Sequence, residues 1–365
     1  MFVKVEKLSF NKITACLDMA GCPNRCKHCW LGVTPNVSLK KSDLEFVASI
    51  FRSYANNLEV TSWYREPDFR NDYKEFWKLE HWLSTEHMKH FELLSYWRIV
   101  RDSEYVKWIY SLGVRVCQLT IFGMEKMTDH YVGRKGAFEE ILKSINILLE
   151  NNIAPRLQIF INKDNVMELP LIEKLIAELD LDKRCKTIGQ EFELFIHQGS
   201  CDGENEKLYN IRIMPEDVIK ISPKLVEYTL KYFGKRDLFD VLGKTEEELF
   251  SELINDNSTM SFVSSSPIFY IDNTFNVYPN ITHPASWWCL GNLKTDSVNA
   301  ILDNYINSKT KAQSIINAMP IGQMIKKCGN SRSKRLFIKG DYITYIQNQF
   351  CEKQYGKDIL FMDLL

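Results

Sequence analysis

The stretch AGCPNRCKHCWLG, residues 20–32, places three cysteines, Cys22, Cys26 and Cys29, within eight positions. Three soft ligands this close hold a disulfide framework, a zinc ion or an iron–sulfur cluster. The sequence around them narrows the choice. Just before them KITACLDMA (12–20) reads as a strand, so the cysteine loop follows the first strand of the chain. Next comes KSDLEFVASIFRSYANN (41–57), with Leu44, Val47, Ala48, Phe51 and Tyr54 at helical spacing and Asp43 near its start.

The same rhythm continues to about residue 235. Strands are expected at LEVTSW (58–63), HFELLSY (90–96), VRVCQLTIFG (114–123), APRLQIFIN (154–162) and QEFELFIHQG (190–199). Helices are expected at 72–84, 103–113, 137–152 and 167–180, with an interrupted one at 214–234. Strands alternating with helices imply a parallel sheet with helical crossovers, closed or partly closed as a barrel. Ligands in such folds collect at the C-terminal ends of the strands, which is where the cysteine loop lies. Beyond about residue 257 the pattern changes. PIFYIDNTFNVYPN (267–280) reads as a hairpin, and 294–308 and 342–356 as helices, giving a smaller α+β unit.

Composition bounds the function. The 365 residues are 45% hydrophobic and 25% charged, as in an ordinary globular protein, and suggest about two domains. With 46 Lys+Arg against 47 Asp+Glu, no general basic field exists for nucleic acid. No signal peptide and no membrane-length apolar run is present, so a cytoplasmic location is expected, and thiols there stay reduced. The ten cysteines then read as metal ligands, reactive groups or buried apolar residues. A disulfide knot would leave one of the three loop cysteines unpaired. Zinc would need a fourth ligand, and His28, between two cysteines, should turn its ring away.

The Cys-x3-Cys-x2-Cys spacing after a first strand resembles the radical S-adenosylmethionine (radical SAM) superfamily, with His28 as the aromatic residue before the last cysteine. The resemblance implies one 4Fe–4S cluster on Cys22, Cys26 and Cys29, with S-adenosyl-L-methionine completing the fourth iron. One electron then cleaves it to a 5′-deoxyadenosyl radical that abstracts a substrate hydrogen atom. WYREPDF (63–69) stands where the family has Gly-Gly-Glu-Pro, keeping Glu66 and Pro67 and replacing the glycines by Tyr64 and Arg65. Glu66 and Arg65 are implied to meet the methionine moiety, although Arg65 also reads as a solvated turn arginine. The run from Thr120 to Phe138 resembles the family's fourth strand and following helix. By that likeness Thr120 approaches the ribose, Arg134 the carboxylate, and His28 lies beside the cofactor. Lys163 and Asn165 resemble a strand-end Lys-x-Asn.

IFYIDNTFNVYPN and WWCLGNLKTDSVNAIL look like the SPASM or twitch extension of the same superfamily, with Asn280 where a ligand cysteine is usual. Cys289, Cys328 and Cys351 lack close spacing, so no auxiliary cluster is expected. The expected fold is therefore α/β, a partial (β/α)6 TIM-like barrel over 1–235. A helical linker and a SPASM/twitch-like cap are expected over 236–365. Cys201, in the loop after the sixth strand, is a candidate hydrogen donor, against the plainer reading of a cysteine without a task. Cys16, Cys117 and Cys185 read as core. Trp77, Trp82 and Trp108 read as helix-face packing, and Trp63 and Trp97 as pocket candidates.

The expected activity is modification of a ribosomally made peptide or protein, although only 21 residues precede Cys22, too few for a leader-binding domain. An enzyme on a small metabolite is the alternative. A non-catalytic zinc or iron–sulfur protein is the alternative of another class. Expected partners are the peptide or small-molecule substrate and an electron donor such as flavodoxin or ferredoxin, with no nucleic acid and no membrane.

Overall fold

The computed structural model of the protein describes residues 9–18, 22–29, 39–61, 69–85, 94–279 and 284–356. Its strands are β1 (Phe10–Leu17), β2 (Ala55–Thr61), β3 (Val116–Ile121), β4 (Ala154–Phe160) and β5 (Glu193–His197). They continue with β6 (Lys244–Thr245), β7 (Ile268–Ile271), β8 (Asn276–Pro279), β9 (Gly291–Asn292) and β10 (Leu336–Phe337).

Period-two patterning builds two amphipathic parallel sheets. In β1, Ile13, Ala15 and Leu17 are wholly buried on one face, and Thr14 and Cys16 lie on the other. β2 pairs parallel to β1, opposing Leu58 to Ile13 and Glu59 to Thr14. The apolar face packs on the helix Lys41–Phe51 through Leu44, Val47, Ala48 and Phe51, four of the five residues expected from the sequence. That helix ends six residues before the expected 57. A short 3₁₀ turn, Arg52–Tyr54, leads directly into β2, because Asn57 is needed opposite Lys12.

β3, β4 and β5 form the second parallel sheet, in that order. The helices Ala137–Glu150 and Leu169–Glu178 cross between its strands and pack on Leu119, Leu157, Ile159, Leu194 and Ile196. The Thr229 hydroxyl of the helix Pro223–Phe233 accepts from Ile196 N at 3.2 Å, closing the outer edge of β5. The strand expected at 90–96 is described only at its last three residues. There Leu94 and Ser95 are coil and Tyr96 begins a short helix, Tyr96–Ile99. Ser95 takes the cap position and accepts from Arg98 N, a geometry that starts a helix and ends any strand.

The C-terminal hairpin does not stand apart. β7 runs parallel to β1 on the edge opposite β2, and β8 and β9 extend the same sheet antiparallel. Phe269, Ile271, Val277, Ile301 and Leu302 share one apolar cluster with Ile13 and Leu58. The carboxylate of Asp272 accepts from Thr274 N, Asn276 N and Tyr278 Oη, which fixes the hairpin turn. β6 and β10 pair antiparallel, and they are pinned to the end of β5 by Gln198 and Arg212, both donating to the Leu336 carbonyl. The expected cap thus joins the first sheet and the end of the second. Cys16, Cys117 and Cys185 are fully buried, as expected. Trp82 is 75% exposed, against expectation. Its helix, Tyr73–Leu83, buries Tyr73, Phe76, Glu80 and Leu83 instead, leaving position 82 on the outer face.

Gly243, just before β6, has φ +89°, and a Cβ there would lie 1.9 Å from the Phe337 carbonyl oxygen. Gly243→Ala should cost roughly 2–4 kcal/mol in urea denaturation, as backbone strain and a backbone clash combine. Gly113, at φ +93° with open space around it, should lose only about 1 kcal/mol as Ala.

Candidate active site at the cysteine loop

The loop that carries Cys22, Cys26 and Cys29 follows β1 and is seated on the turn between the helices Glu125–Val132 and Ala137–Glu150. Arg25 N donates to Val132 O at 2.9 Å and Lys27 N to Tyr131 O at 2.8 Å. These are end carbonyls of a helix, which have no partner inside it. Gly133 permits the approach: at φ +72°, a Cβ on it would lie 2.6 Å from Arg25 O. On the far side, Glu204 N donates to Cys29 O at 2.9 Å. Asp129 holds the turn itself, accepting from Gly136 N at 2.6 Å and Phe138 N at 2.9 Å. The Thr120–Phe138 run that resembled a family motif is therefore, physically, the seat of the loop.

None of the ten cysteines is in a disulfide, and Cys22, Cys26 and Cys29 are each half-buried. The His28 ring turns away from its neighbouring thiols into an aromatic slot, with centroids 4.7 Å from Phe122 and 4.9 Å from Phe160. Burial, and then the nearby His197, lower its pKa to about 4, and its buried Nδ1 has no hydrogen-bond partner. His28 is thus held neutral between Phe122 and Phe160. Among the described residues, no three His, Cys, Asp or Glu side chains close on one point at ion-holding distance. Cys22, Cys26 and Cys29 thus share the loop without closing on one point, and as three soft thiols they suit an iron–sulfur cube on three corners by chemistry alone.

His28 reaches the polar side of the second sheet. That face shows Gln118 and Thr120 on β3, Arg156 and Gln158 on β4, and Glu193 and His197 on β5. Arg156 pairs with Glu193 at 2.6 Å. Gln118 Nε2 and Thr120 Oγ1 both donate to Gln158 Oε1, at 2.9 and 3.2 Å. The Gln158 amide nitrogen and the Gln118 carbonyl oxygen make no hydrogen bond among the described residues, and both side chains are half-exposed. The sequence reading missed this strip, although the alternation in VCQLTI marks Gln118 and Thr120 as sharing one face. The first sheet has a polar face too, with Glu59 buried between Lys12 Nζ at 2.8 Å and Thr14 Oγ1 at 3.1 Å.

Of the residues singled out from the sequence, Glu66, Arg65 and Trp63 lie outside the described residues. Thr120 lies on the polar face beside Gln158. The Arg134 guanidinium is bonded to Asn24 Oδ1 at 2.9 Å and to Glu140 Oε2 at 2.6 Å. Lys163 and Asn165 shape the turn after β4, where Asn165 Nδ2 donates to Phe160 O at 2.6 Å. Cys201 sits 1% exposed in left-handed backbone, at φ +68°, and its thiol donates to Asn205 O. Burial pushes that thiol up to about 12, so it stays protonated at neutral pH. Trp97 is half-buried against Phe69, with the Arg101 guanidinium 4.6 Å from its ring. Cys351 is fully buried, and Cys289 and Cys328 partly so.

The fold is shared with solved structures of anSMEcpe. The chain superposes on native anSMEcpe with bound AdoMet over 97% of its own length and 100% of that chain, with a TM-score of 0.51 and 15% identity. For native anSMEcpe with bound AdoMet and the Kp18Cys peptide, the figures are 94%, 98%, 0.52 and 14%. In sequence, the chain is 30% identical over 84 residues to Fe-coproporphyrin III synthase of Methanosarcina barkeri. That match spans 23% of this chain and 21% of the synthase, about a fifth of its length. No protein-family model matches the chain. No helix among the described residues is long and apolar enough to cross a membrane.

Gly133→Ala should push the loop off its seat and lower iron retention several-fold after anaerobic reconstitution. Gly136→Ala, at φ +80° with open space around it, should retain iron normally at a cost of about 1 kcal/mol. His197 offers a pH test. Burial and then Arg212 hold its pKa at about 4, below the ordinary 6.5. The unfolded chain therefore takes up this proton first, and the associated stability, full above about pH 6.5, falls as pH drops toward about 4. Tm measured from pH 7.5 to 5 should fall less steeply in His197→Phe than in the unmodified protein.

Proposed function

We propose that the protein is a radical SAM enzyme carrying one 4Fe–4S cluster on Cys22, Cys26 and Cys29 and acting on a ribosomally made peptide or protein. The observation that carries this reading is the three-thiol loop, held at the C-terminal end of β1 and reaching through His28 to the polar face of β3–β5. When bound, such a cluster supplies the electron that cleaves S-adenosylmethionine to a 5′-deoxyadenosyl radical able to take a hydrogen atom from substrate.

The chain's own residues have defined tasks around that chemistry. Gly133, Asp129 and the Tyr131 and Val132 carbonyls seat the loop. Phe122, Phe160 and His28 keep water from its inner side. Thr120, Gln118 and Gln158 offer hydrogen bonds to a bound molecule. The open Gln158 N–H and Gln118 C=O lie on neighbouring strands, on side chains already bonded to each other. The C=O and N–H of one residue in an extended peptide point the same way and complement them. Cys201, kept as a thiol, is in the protonation state a hydrogen donor requires, and it is packed among residues of the 236–365 segment. That segment acts as a fixed cap, and a one-electron carrier such as flavodoxin or ferredoxin delivers the electron. The match to Fe-coproporphyrin III synthase favours a second reading, in which a small metabolite replaces the peptide.

Anaerobic reconstitution should yield about four irons per chain. Reduction in the presence of S-adenosylmethionine should release 5′-deoxyadenosine, and Cys26→Ala should abolish both results. About eight irons would refute the single cluster. A cluster spectrum indifferent to S-adenosylmethionine, with no 5′-deoxyadenosine, would refute the enzyme. Deuterium transfer into 5′-deoxyadenosine from labelled peptide, but not from labelled metabolites, would separate the two substrate readings.

A further inference from the structure

We infer that Arg134 is a positioning residue that holds the Cys22 end of the cysteine loop through Asn24, rather than a clamp for the carboxylate of a bound molecule. The inference rests on the proposed cluster site only in naming what the loop carries; its geometry belongs to the chain alone.

Asn24 lies between Cys22 and Cys26 and is 6% exposed. A buried side-chain amide needs a partner, and Arg134 Nε supplies one at 2.9 Å. The same guanidinium donates from a terminal nitrogen to Glu140 Oε2 at 2.6 Å, and it lies 5.6 Å from the Tyr96 ring. Glu140 is held in turn by Arg101, which donates to its other oxygen. Arg101 also donates to Trp97 O at 2.9 Å. The two arginines hold the Glu140 carboxyl below its usual pKa despite burial, so it stays charged and acts as a fixed post. The guanidinium fork spans from this post to the loop.

Bidentate capture of a carboxylate uses two parallel N–H donors on one edge of the guanidinium. Here the edge that joins Nε to a terminal nitrogen is divided between Asn24 and Glu140, on different elements. The fork shape also explains why arginine stands here: a lysine ammonium is a point donor and cannot hold Asn24 and Glu140 in the same fixed geometry.

The loop has further attachments. Arg25 N and Lys27 N bind the Val132 and Tyr131 carbonyls, and Cys29 O accepts from Glu204 N. These secure its middle and its far end. At the near end, the Arg25 guanidinium donates to Cys22 O at 2.9 Å from within the loop itself. The Arg134–Asn24 bond is a side-chain tie from that end to the turn before the helix Ala137–Glu150. Its loss should therefore loosen the Cys22 end more than the part that carries Cys26 and Cys29.

The test has two arms, both on the full chain. In the first, iodoacetamide alkylation of the metal-free protein is followed cysteine by cysteine by mass spectrometry. Arg134→Ala and Asn24→Ala should each speed labelling of Cys22 about tenfold with little change at Cys26 and Cys29, and the double variant should add nothing further. Asn24→Ala removes the same bond while leaving the half-buried guanidinium on Glu140, so the result does not hang on one variant folding well. Arg134→Lys should recover part of the effect. In the second arm, the reconstituted, reduced Arg134→Ala protein should show altered cluster EPR g-values with an unchanged Kd for S-adenosylmethionine. Unchanged Cys22 labelling and an unchanged EPR signal, with weakened S-adenosylmethionine binding, would overturn the inference in favour of the carboxylate clamp. Failure of the unmodified protein to assemble a cluster would count against the proposed function, while the alkylation result would still decide the role of Arg134.

Discussion

Strand β1 is hydrogen-bonded along both edges, to β2 on one side and to β7 on the other. A strand paired on both sides cannot slip without moving its apolar residues to the wrong face of two neighbours at once. Ile13, Ala15 and Leu17 are therefore locked toward the helices, and the chain must leave β1 at Asp18 in one fixed direction. Asp18 N donates to Ile271 O, and the Asp18 carboxylate accepts from Tyr270 Oη at 3.0 Å. The hairpin, more than 250 residues away in sequence, thus secures the base of the cysteine loop. Part of the 236–365 segment is thereby built into the sheet from which the cysteine loop departs.

The loop itself has almost no regular structure. Its order comes from attachments to a helix end at Tyr131 and Val132, to the turn residue Glu204, and to the His28 slot between Phe122 and Phe160. Each uses a group that would otherwise be costly to bury: end carbonyls of a helix, a loop carbonyl, and an imidazole kept neutral by desolvation. The second sheet completes the site by opposing characters on its two faces. Cys117, Leu119 and Ile121 face the helices, while Gln118 and Thr120 face the interior. A polar interior face is tolerated because Arg156–Glu193 and the Gln118–Gln158–Thr120 bonds satisfy most of its groups.

Where expectation and structure part, local signals had competed with pairing. The apolar spacing of residues 44–54 suggested a helix through residue 57, yet Ala55, Asn56 and Asn57 belong to β2 because β1 offers them a partner. Ser95 ended a stretch that looked like a strand, by capping a helix. Trp82 lies at the outer face of a helix whose inner face was already filled. At the site, Arg134 is bonded to Glu140, six residues on, and to Asn24 across the fold, a pairing that no local spacing announces.

The amino-acid pattern by itself determined the alternation of strands and helices, the apolar face of each strand, the hairpin at 267–280 and the soft three-thiol donor set. All of these are written in residue type and spacing over short windows, where periodicity and ligand chemistry act directly. Only the tertiary structure decided that β7 joins β1, that Gln118 and Gln158 form one hydrogen-bonding strip, and that Asn24 is tied to Arg134. Those relations join residues 40 to 250 positions apart. Their energies depend on which groups folding leaves buried and in need of a partner, and no local window of sequence contains that information.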